Sequence, residues 1–429
     1  MKKHGMNFLL MVALVTILLF CGLVACKQEP TVKGGINITI TDSTEKTPAS
    51  WRLTVKNSKG SVLKTETLTE LSWSSEDIAA GGIAITVEAL SSDGKVVGSG
   101  YAEAVVSEEA PTDVAITVRR LVLMTAGSTT AGFDTLEEAV AAAVAAGTGS
   151  ATIEINGEIT VKTTMEITDF NLTLRNYDGA IGIINDAVTT VVTDTGSTAN
   201  QVARMFQING SSEFVVGGNT KGKLLINGAG KNSAATAACD RRVLFFLGEK
   251  NANKATGSVT VNEGLEVTGI YCEGNTAFGT VVRGYGNVTI NGGYYHDNFQ
   301  NGNGLFCVYA TTVVNGGTFS NNTSTGSSSI IQNAASGANL TINNGQFLNN
   351  TANYACVITV AGATTTVNDG KFSGNTAAGD NRGAALHGNN DSTVTVIING
   401  GTFSNNTPFD YYKNKSHLEV AKDVKLNTN

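Results

Sequence analysis

The sequence VTINGGYYHDN at residues 288–298 is the first of five copies of one motif, and this repetition decides the fold. The later copies read VVNGGTFSNNT at 313–323, LTINNGQFLNNT at 340–351, TTVNDGKFSGNT at 365–376 and VIINGGTFSNNT at 396–407. The first Asn of each copy returns every 24 to 31 residues. Internal repeats of this length predict a solenoid or a propeller.

Every copy has the same internal order. Two or three β-favouring residues are followed by Asn and Gly, which tolerate positive φ and end the strand. An aromatic residue comes next, and a second Asn follows it three positions later. A further apolar run completes the copy, so one period holds about three short strands and three turns. The sequence thus predicts one coil of a parallel β-helix per copy.

Coils of such a helix place equivalent residues about 4.8 Å above one another. We therefore expect the aromatic residues to stack as an inner apolar column and the Asn side chains to bond amide to amide. Residues three apart face opposite sides of a straight strand, so a bend is predicted between each aromatic residue and its Asn. The predicted structural ladder comprises Phe319, Asn322, Phe347, Asn350, Phe372, Asn375, Phe403 and Asn406.

The copy FSGNTAAGDNRGAAL at 372–386 resembles the repeat of the polymorphic outer-membrane protein family. The resemblance extends over residues 259–407 and implies a right-handed β-helix of the pectin-lyase-like class on a bacterial surface. Most copies lack the Gly-Gly-Ala-Ile of that family, and no barrel-like run follows the repeats. Because such proteins usually carry a C-terminal translocating barrel, we expect this chain to reach the surface by another route.

The N-terminal residues 1–25 predict that route. Lysines precede an apolar run at 8–20, which is the pattern of a signal peptide and is too short to span a membrane. The sequence Leu-Val-Ala-Cys ending at Cys26 resembles the box of bacterial lipoproteins, which implies a diacylated Cys26. Because Lys27 rather than Asp follows it, the resemblance favours the outer membrane. Residues 26–34 are then a lipidated tether.

Residues 35–120 are predicted to form a separate module. Alternating segments such as INITIT at 36–41 and IAITVEA at 83–89 predict strands, and NSKG and SSDG predict hairpin turns. Six or seven such strands indicate a small antiparallel β-sandwich of Ig-like type. Trp51 alternates with apolar neighbours as a core residue, which favours a spacer over a sugar-binding module with exposed aromatic residues.

Residues 121–429 are predicted to be the β-helix. After a linker at 121–132, the sequence FDTLEEAVAAAVAAG predicts an amphipathic helix at 134–146 whose N-cap is Asp134. A helix in this position would cover the unpaired edge of the first coil. The tail 408–429 is predicted to cap the other end.

Composition and motifs limit the kinds of partner, metal and cofactor that the protein is predicted to bind. The formal net charge of −7 at pH 7 gives no basic patch for nucleic acid, and we expect none as a partner. Neither a calcium-binding nonapeptide repeat nor a zinc spacing occurs, so no metal and no cofactor are predicted. Without a CxxC pair, the four later cysteines are predicted to be small buried side chains, with a disulfide as the alternative. They are Cys239, Cys272 (aligned with the aromatic position of a divergent copy), Cys307 and Cys356.

One cluster of charged residues in the sequence is a candidate catalytic site. Enzymes of the pectin-lyase-like fold need paired carboxylates, or calcium with a basic Arg, on one face. Asp297 and Asp369 are interpreted as turn residues, and adjacent His296 and Asp297 are predicted to point apart, which would rule out a dyad. A loop cluster remains, for which a solvated ion pair is the simpler interpretation. Its residues are Asp240, Arg241, Arg242 and Glu249.

The predicted function is non-catalytic. We expect a lipid-anchored protein of the outer-membrane surface that acts as an adhesin or display scaffold and binds a host glycan or protein along the long faces of its β-helix. The alternative is a polysaccharide lyase or glycoside hydrolase of the pectin-lyase-like fold. The fold alone does not decide between them, and an enzyme would show a carboxylate and Arg cluster on one face of neighbouring coils.

Overall fold

The protein is built almost entirely of β-strands, as predicted. The computed structural model describes residues 32–192, 202–219, 221–228, 242–248, 257–272, 280–302, 304–326, 330–333, 337–355, 357–379, 381–388 and 390–428. Within these ranges there are 43 strands and one helix. The strands form one sheet near the N-terminus and four stacked, mostly parallel sheets after it. This arrangement confirms a small β-sandwich followed by a parallel β-helix.

Seven strands form the N-terminal sandwich. They are β1 (Lys33–Ser43), β2 (Ser50–Asn57), β3 (Val62–Leu68), β4 (Ser72–Ala79), β5 (Gly81–Leu90), β6 (Val96–Val106) and β7 (Thr112–Arg119). They hydrogen bond in the order β3-β2-β5-β6-β7-β1-β4, with β1 parallel to β7 and every other pair antiparallel. β6 and β7 meet at one residue pair, Ser99 and Arg119, so the sheet divides there into two halves.

One apolar core lies between these halves, and strands of both contribute to it. Trp51 belongs to this core with 6% of its surface exposed. The sandwich therefore does not present Trp51 to a sugar.

The prediction that residues 121–132 form a linker is wrong. β8 (Val122–Ala126) and β9 (Thr129–Phe133) form a hairpin in that segment, and β8 pairs antiparallel with β10 (Ser150–Ile155). The hairpin therefore extends a sheet of the β-helix, and two residues separate it from the last strand of the sandwich.

Hydrogen bonds and a cation–ring contact close the junction between the two modules. The buried Asn156 amide donates to the backbone oxygens of Ser99 at 2.7 Å and Arg120 at 3.3 Å. The Arg119 guanidinium lies 5.3 Å from the ring centre of Tyr177. These contacts fix the direction in which the β-helix leaves the sandwich.

The helix α1 (Leu136–Ala145) covers the first coil, and its N-cap differs from the prediction. Thr135 is the N-cap, because its side chain accepts from the backbone N–H of Glu138 at 3.2 Å. The carboxylate of Asp134 instead pairs with Arg120 at 2.7 Å and Lys46 at 3.1 Å. These two cations hold Asp134 at the junction with the sandwich, away from the helix.

Within the described residues, four sheets make up the β-helix. The twelve-stranded sheet contains β8, β9, β10, β13 (Asn171–Asn176), β17 (Glu213–Gly217), β20 (Ser258–Val261), β24 (Asn287–Ile290), β28 (Thr312–Val314), β32 (Asn339–Ile342), β36 (Thr364–Val367), β40 (Thr395–Ile398) and β43 (His417–Val420). The nine-stranded sheet contains β11 (Glu158–Val161), β14 (Ile181–Asp186), β18 (Lys223–Asn227), β21 (Leu265–Thr268), β25 (Tyr294–His296), β29 (Thr318–Ser320), β33 (Gln346–Leu348), β37 (Lys371–Ser373) and β41 (Thr402–Ser404).

The other two sheets close each coil. The ten-stranded sheet contains β12 (Met165–Thr168), β15 (Val191–Val192), β16 (Val202–Asn209), β19 (Arg242–Leu247), β23 (Val282–Gly284), β27 (Phe306–Val308), β31 (Ile331–Asn333), β35 (Ile358–Val360), β39 (Gly383–His387) and β42 (Phe409–Tyr412). The five-stranded sheet contains β22 (Tyr271–Cys272), β26 (Phe299–Gln300), β30 (Thr323–Ser324), β34 (Thr351–Ala352) and β38 (Thr376–Ala377). A regular coil thus has four strands rather than three, because the two-residue strand after the second Asn is too short to show a periodic pattern.

The aromatic residues of the repeat stack inside the β-helix. Successive rings have centroids 4.7–4.9 Å apart and planes within 10° of parallel. The column consists of Tyr295, Phe319, Phe347, Phe372 and Phe403. Ring planes so nearly parallel show that successive coils are stacked with little rotation.

The prediction that Cys272 holds the aromatic position of a divergent copy is wrong. Val267 pairs with Tyr295 and so lies in the aromatic position, whereas Cys272 pairs with Gln300 in the five-stranded sheet. The turn after Asn262 has one residue more than the turns of later coils, and this extra residue shifts the register.

The second Asn of each copy forms a buried amide ladder, here called the inner ladder. Each Nδ2 donates to the Oδ1 of the next Asn at 2.9–3.1 Å. In Asn350, Nδ2 also donates to the backbone oxygen of Phe319 at 2.9 Å, and Oδ1 accepts from the backbone N–H of Asn322 at 3.1 Å. The inner ladder consists of Asn298, Asn322, Asn350, Asn375 and Asn406.

A left-handed residue before each inner-ladder Asn makes the bend. The backbone φ at this position is between 52° and 55° where the residue is Asp or Asn, and it is 70° at Gly374. Asn and Asp tolerate this conformation better than other side chains do. The residues are Asp297, Asn321, Asn349, Gly374 and Asn405.

The C-terminal tail caps the inner ladder. Oδ1 of Asp410 accepts from Nδ2 of Asn406 at 2.7 Å, and its Oδ2 accepts from the backbone N–H of Asn427 at 2.8 Å. β42 and β43 extend the ten- and twelve-stranded sheets, and Leu418 and Leu426 pack against the core.

Replacing Asn350 by Ala should destabilise the protein far more than replacing its neighbour Asn349 by Gly. The first change leaves the buried Phe319 carbonyl and the Asn322 N–H without partners, at about 1–3 kcal/mol each. The second keeps a left-handed position that Gly374 already fills in the next coil, so we expect an effect within about 0.5 kcal/mol. Chemical unfolding of both variants measures the difference, and equal effects would contradict the role of the inner ladder.

Candidate functional site

Glycine pairs form the floor of a groove on the outside of the β-helix. At the turns between the twelve- and nine-stranded sheets, Gly293 and Gly317 adopt φ values of 101° and 106°, which glycine adopts without strain. Without side chains at these turns, a groove of about 420 Å³ lies open across successive coils. Its walls include Lys223, Glu263, Glu266, Tyr294, Thr318, Asn344 and Gln346.

A second depression, of about 790 Å³, adjoins the groove near the sandwich. Tyr101 and Glu103 of the sandwich line it together with Ile181, which is 45% exposed, and Lys221. Because Lys223 lines both the groove and the depression, the two form one path along the side of the β-helix.

Four ionisable side chains meet on the groove side of the nine-stranded sheet. Oε2 of Glu266 lies 2.5 Å from Nζ of Lys223, and its Oε1 lies 3.3 Å from Nε2 of His296. Nδ1 of His296 lies 2.6 Å from Oδ2 of Asp297. Three consecutive strands, β18, β21 and β25, therefore bring together side chains that are far apart in the sequence.

The prediction that His296 and Asp297 point apart is wrong. Side chains alternate along an extended strand, but Asp297 has a φ of 52° and follows the last residue of β25. The left-handed residue turns its carboxylate back beside the imidazole. Asp297 is thus a turn residue and a partner of His296 at once. Asp369 also lies in a turn, where its Oδ1 accepts from the N–H of Gly370 at 2.7 Å.

The cluster keeps Glu266 ionised. Burial raises the pKa of Glu266, but hydrogen bonds from Lys223 and His296 outweigh burial and bring the pKa below its ordinary value. An ionised carboxylate accepts hydrogen bonds, whereas a general acid needs a pKa near the working pH. The geometry therefore favours Glu266 as a fixed acceptor for a ligand over Glu266 as a proton donor.

Tyr294 gives the groove an exposed aromatic surface. It is 40% exposed, and its ring lies 4.1 Å from the imidazole of His296 at an angle of 23°. Ser320 donates to the Tyr294 hydroxyl oxygen at 3.3 Å. The ring is thus held at two points before any ligand arrives, which lowers the entropy lost on binding.

Arg242, the one described residue of the predicted loop cluster, does not line this groove. Arg242 begins β19 and is 8% exposed; it donates to the backbone oxygen of Asp186 at 2.8 Å and lies 3.6 Å from its Oδ2. The interpretation of Arg242 as part of a solvated loop is therefore wrong, because the strand places its guanidinium in the protein. Asp240, Arg241 and Glu249 lie outside the described residues.

The described cysteines do not line the groove. Cys272 and Cys307 are buried and form no disulfide within the described residues, and Cys239 and Cys356 lie outside those residues. In the part of the chain that the structure describes, no group of three or more His, Cys, Asp or Glu could hold a metal ion.

The lipoprotein box lies outside the described residues as well, since Cys26 and the signal segment precede residue 32. Among the residues from 32 onward that are described, no helix is both long and apolar enough to cross a membrane.

Sequence reasoning missed Lys223, Glu266 and Tyr294. Glu266 pairs with Tyr294 in neighbouring strands, and this pairing follows only when the longer turn after Asn262 is taken into account. The sequence signal that could have found Tyr294 and Glu266 is the exposed position directly before each aromatic residue of the repeat. In later coils that position holds Thr318, Gln346, Lys371 and Thr402.

Comparison with protein-family models, with curated proteins and with solved structures finds no match to this chain. The resemblance to the polymorphic outer-membrane protein repeat therefore stays a prediction.

Proposed function

We propose that this protein is a non-catalytic adhesin or display scaffold, anchored by lipid to the outer membrane, whose groove binds a glycan of a host or of the surrounding matrix. The observation that carries the proposal is the open groove with the exposed, prepositioned ring of Tyr294. Binding pockets combine apolar surface with a few fixed polar groups, and the groove has both.

Neutral and charged groups share the groove walls. Glu266 offers a fixed acceptor, Lys223 offers donors, and Thr318, Asn344 and Gln346 offer uncharged groups that both donate and accept. Sugar hydroxyls are themselves donors and acceptors, and sugar rings carry apolar C–H faces that suit an aromatic ring. This combination fits a glycan better than an apolar ligand.

The junction between the modules suits display. A lipid at Cys26 and a short tether would attach the sandwich to the membrane, and the contacts of Asn156 and Asp134 hold the β-helix in one direction from it. Lipoproteins with two or more acyl chains stay anchored stably. The acidic composition, with a net charge of −7, supports the expectation that nucleic acid is no partner.

Replacing Tyr294 by Ala should weaken glycan binding at least about tenfold, which corresponds to about 1.4 kcal/mol. Tyr354 is a matched control, because it is 37% exposed but contacts Arg382 and His387 rather than the groove. A glycan array identifies a ligand for the wild-type chain, and titration of both variants measures the loss. If Tyr354→Ala loses as much affinity as Tyr294→Ala, the groove is not the binding site.

Replacing Cys26 by Ala should abolish lipid labelling and release the protein from the membrane fraction. The matched control is Cys21→Ala, because Cys21 lies within the signal segment and would be removed with it. Metabolic labelling with a fatty acid followed by membrane fractionation measures both effects. Retention of unlabelled Cys26→Ala in the membrane would contradict the lipoprotein assignment.

A second candidate function is a polysaccharide lyase or glycoside hydrolase, which the contact of Glu266 and Asp297 with His296 favours. Glu266 has a lowered pKa and already accepts from Lys223 and His296, so it is not poised to donate a proton. We therefore expect no turnover of polygalacturonate, alginate or glycosaminoglycans, measured as unsaturated products and new reducing ends. Turnover that disappears in Glu266→Gln would establish the enzyme instead.

A further inference from the structure

The twelve-stranded sheet presents an uncharged outer face over six coils, from β20 to β40. Its middle column consists of β-branched residues that pair in register from strand to strand. These are Thr260, Thr289, Val313, Thr341, Thr366 and Ile397. The column before it consists of Ser258, Asn287, Thr311, Asn339, Thr364 and Thr395. We call the surface formed by these columns and the adjoining Asn column the neutral face.

The Asn column of the neutral face forms a second amide ladder, here called the outer ladder. Each Nδ2 donates to the Oδ1 of the Asn in the preceding coil at 2.8–2.9 Å. An amide has two N–H donors and two acceptor lone pairs, so each ladder bond uses half of the donors and half of the acceptors. The outer ladder consists of Asn262, Asn291, Asn315, Asn343, Asn368 and Asn399.

Charge bounds the neutral face at both ends. On the first coils of the same sheet, Glu154 pairs with Arg175 at 2.9 Å, and Glu213 is exposed on β17. At the other end, Glu419 on β43 interacts with His417 at 3.1 Å. The eighteen positions of the three columns between these ends hold Ser, Thr, Asn, Val and Ile. Across these six coils, the described residues of the three columns therefore form a surface without charge.

The geometry of the neutral face is periodic and flat. Equivalent residues repeat about every 4.8 Å along the axis, and the three columns lie about 6.7 Å apart along the strands. The stacked aromatic rings of the neighbouring nine-stranded sheet are within 10° of parallel, so successive coils rotate little against one another and the neutral face stays close to a plane. A flat face gives a small soluble ligand little to bury against, whereas it can lie fully against another flat surface.

We propose that the neutral face binds the flat surface of an insoluble, uncharged polysaccharide whose sugars carry hydroxyl and N-acetyl groups. The face presents hydroxyls and carboxamides in regular rows, and such a solid presents the same two groups in rows of its own. Each can donate to and accept from the other without burying a charge, which would be costly. The neutral face is separate from the groove. The proposal rests on the proposed display function in one respect only, which is that many copies on one membrane bind the solid at once.

A second copy of the chain fits the face less well. Six strands and three columns cover about 24 Å by about 13 Å, or about 300 Å². Two such faces would bury about 600 Å² in total, whereas stable interfaces bury about 1,200–2,000 Å². The same area suits a solid, because many copies displayed on one membrane bind together and their weak contacts combine.

The test measures binding of membrane-displayed protein to insoluble chitin by sedimentation. Thr341→Lys and Thr341→Glu each place one charge at the centre of the neutral face, and both should reduce binding at least tenfold. Thr402→Lys is the matched control, because Thr402 is exposed on the nine-stranded sheet beside native Lys371 and should bind as the wild type does. Thermal unfolding of each variant checks that the fold is intact.

Three results would overturn the proposal. The first is wild-type protein that does not sediment with chitin. The second is opposite effects of Thr341→Lys and Thr341→Glu, which would mean attraction between charges rather than contact between neutral surfaces. The third is equal loss in Thr402→Lys. Tyr294→Ala should bind chitin fully, and soluble N-acetylated oligosaccharides should not release the protein, so failure of the groove and failure of the neutral face can be told apart.

Discussion

The inner ladder of Asn298, Asn322, Asn350, Asn375 and Asn406 is the interaction on which the rest of the β-helix depends. Each coil bends sharply between two sheets, and a bend inside the protein leaves backbone groups that no strand partner can satisfy. One amide per coil satisfies the N–H of the preceding inner Asn and the carbonyl of an aromatic residue, while it bonds to the next amide. Removing one member therefore affects three coils.

This requirement explains why the repeat is strict in one part and variable in another. The aromatic residue, the left-handed residue and the Asn must keep their spacing, because the Asn reaches back to a carbonyl of the aromatic column. The copies nevertheless recur at different intervals, from 24 to 31 residues, and the differences lie in the connections between these fixed parts. At the C-terminal end the last donor of the ladder meets the carboxylate of Asp410, a charged acceptor at the positive end of a row of aligned amides.

Much of the fold could be predicted from the sequence, since stacking makes inward positions repeat. Prediction failed where a residue departs from the repeat, and each failure has a physical reason. His296 and Asp297 met because a left-handed residue breaks strand alternation. Cys272 was misplaced because Cys-Glu-Gly-Asn at 272–275 imitates the spacing of the repeat, whereas the aliphatic Val267 holds the aromatic position of that coil. Arg242 was assigned to a polar loop, but it begins β19, and this strand places its guanidinium inside the protein beside Asp186. The hairpin that replaces the linker depends on pairing with β10, a contact that local sequence does not show.

The same frame positions the side chains of the groove before any ligand binds. In the groove, Glu266 contacts Lys223 and His296, and the ring of Tyr294 stacks on the imidazole, so a ligand meets groups that are already in place. Catalysis needs, in addition, a proton donor or acceptor whose pKa lies near the working pH. At the groove the neighbouring Lys223 and His296 move the pKa of Glu266 in the other direction, down and away from neutrality. The ion pairs that hold these side chains in place therefore also make Glu266 a poor proton donor.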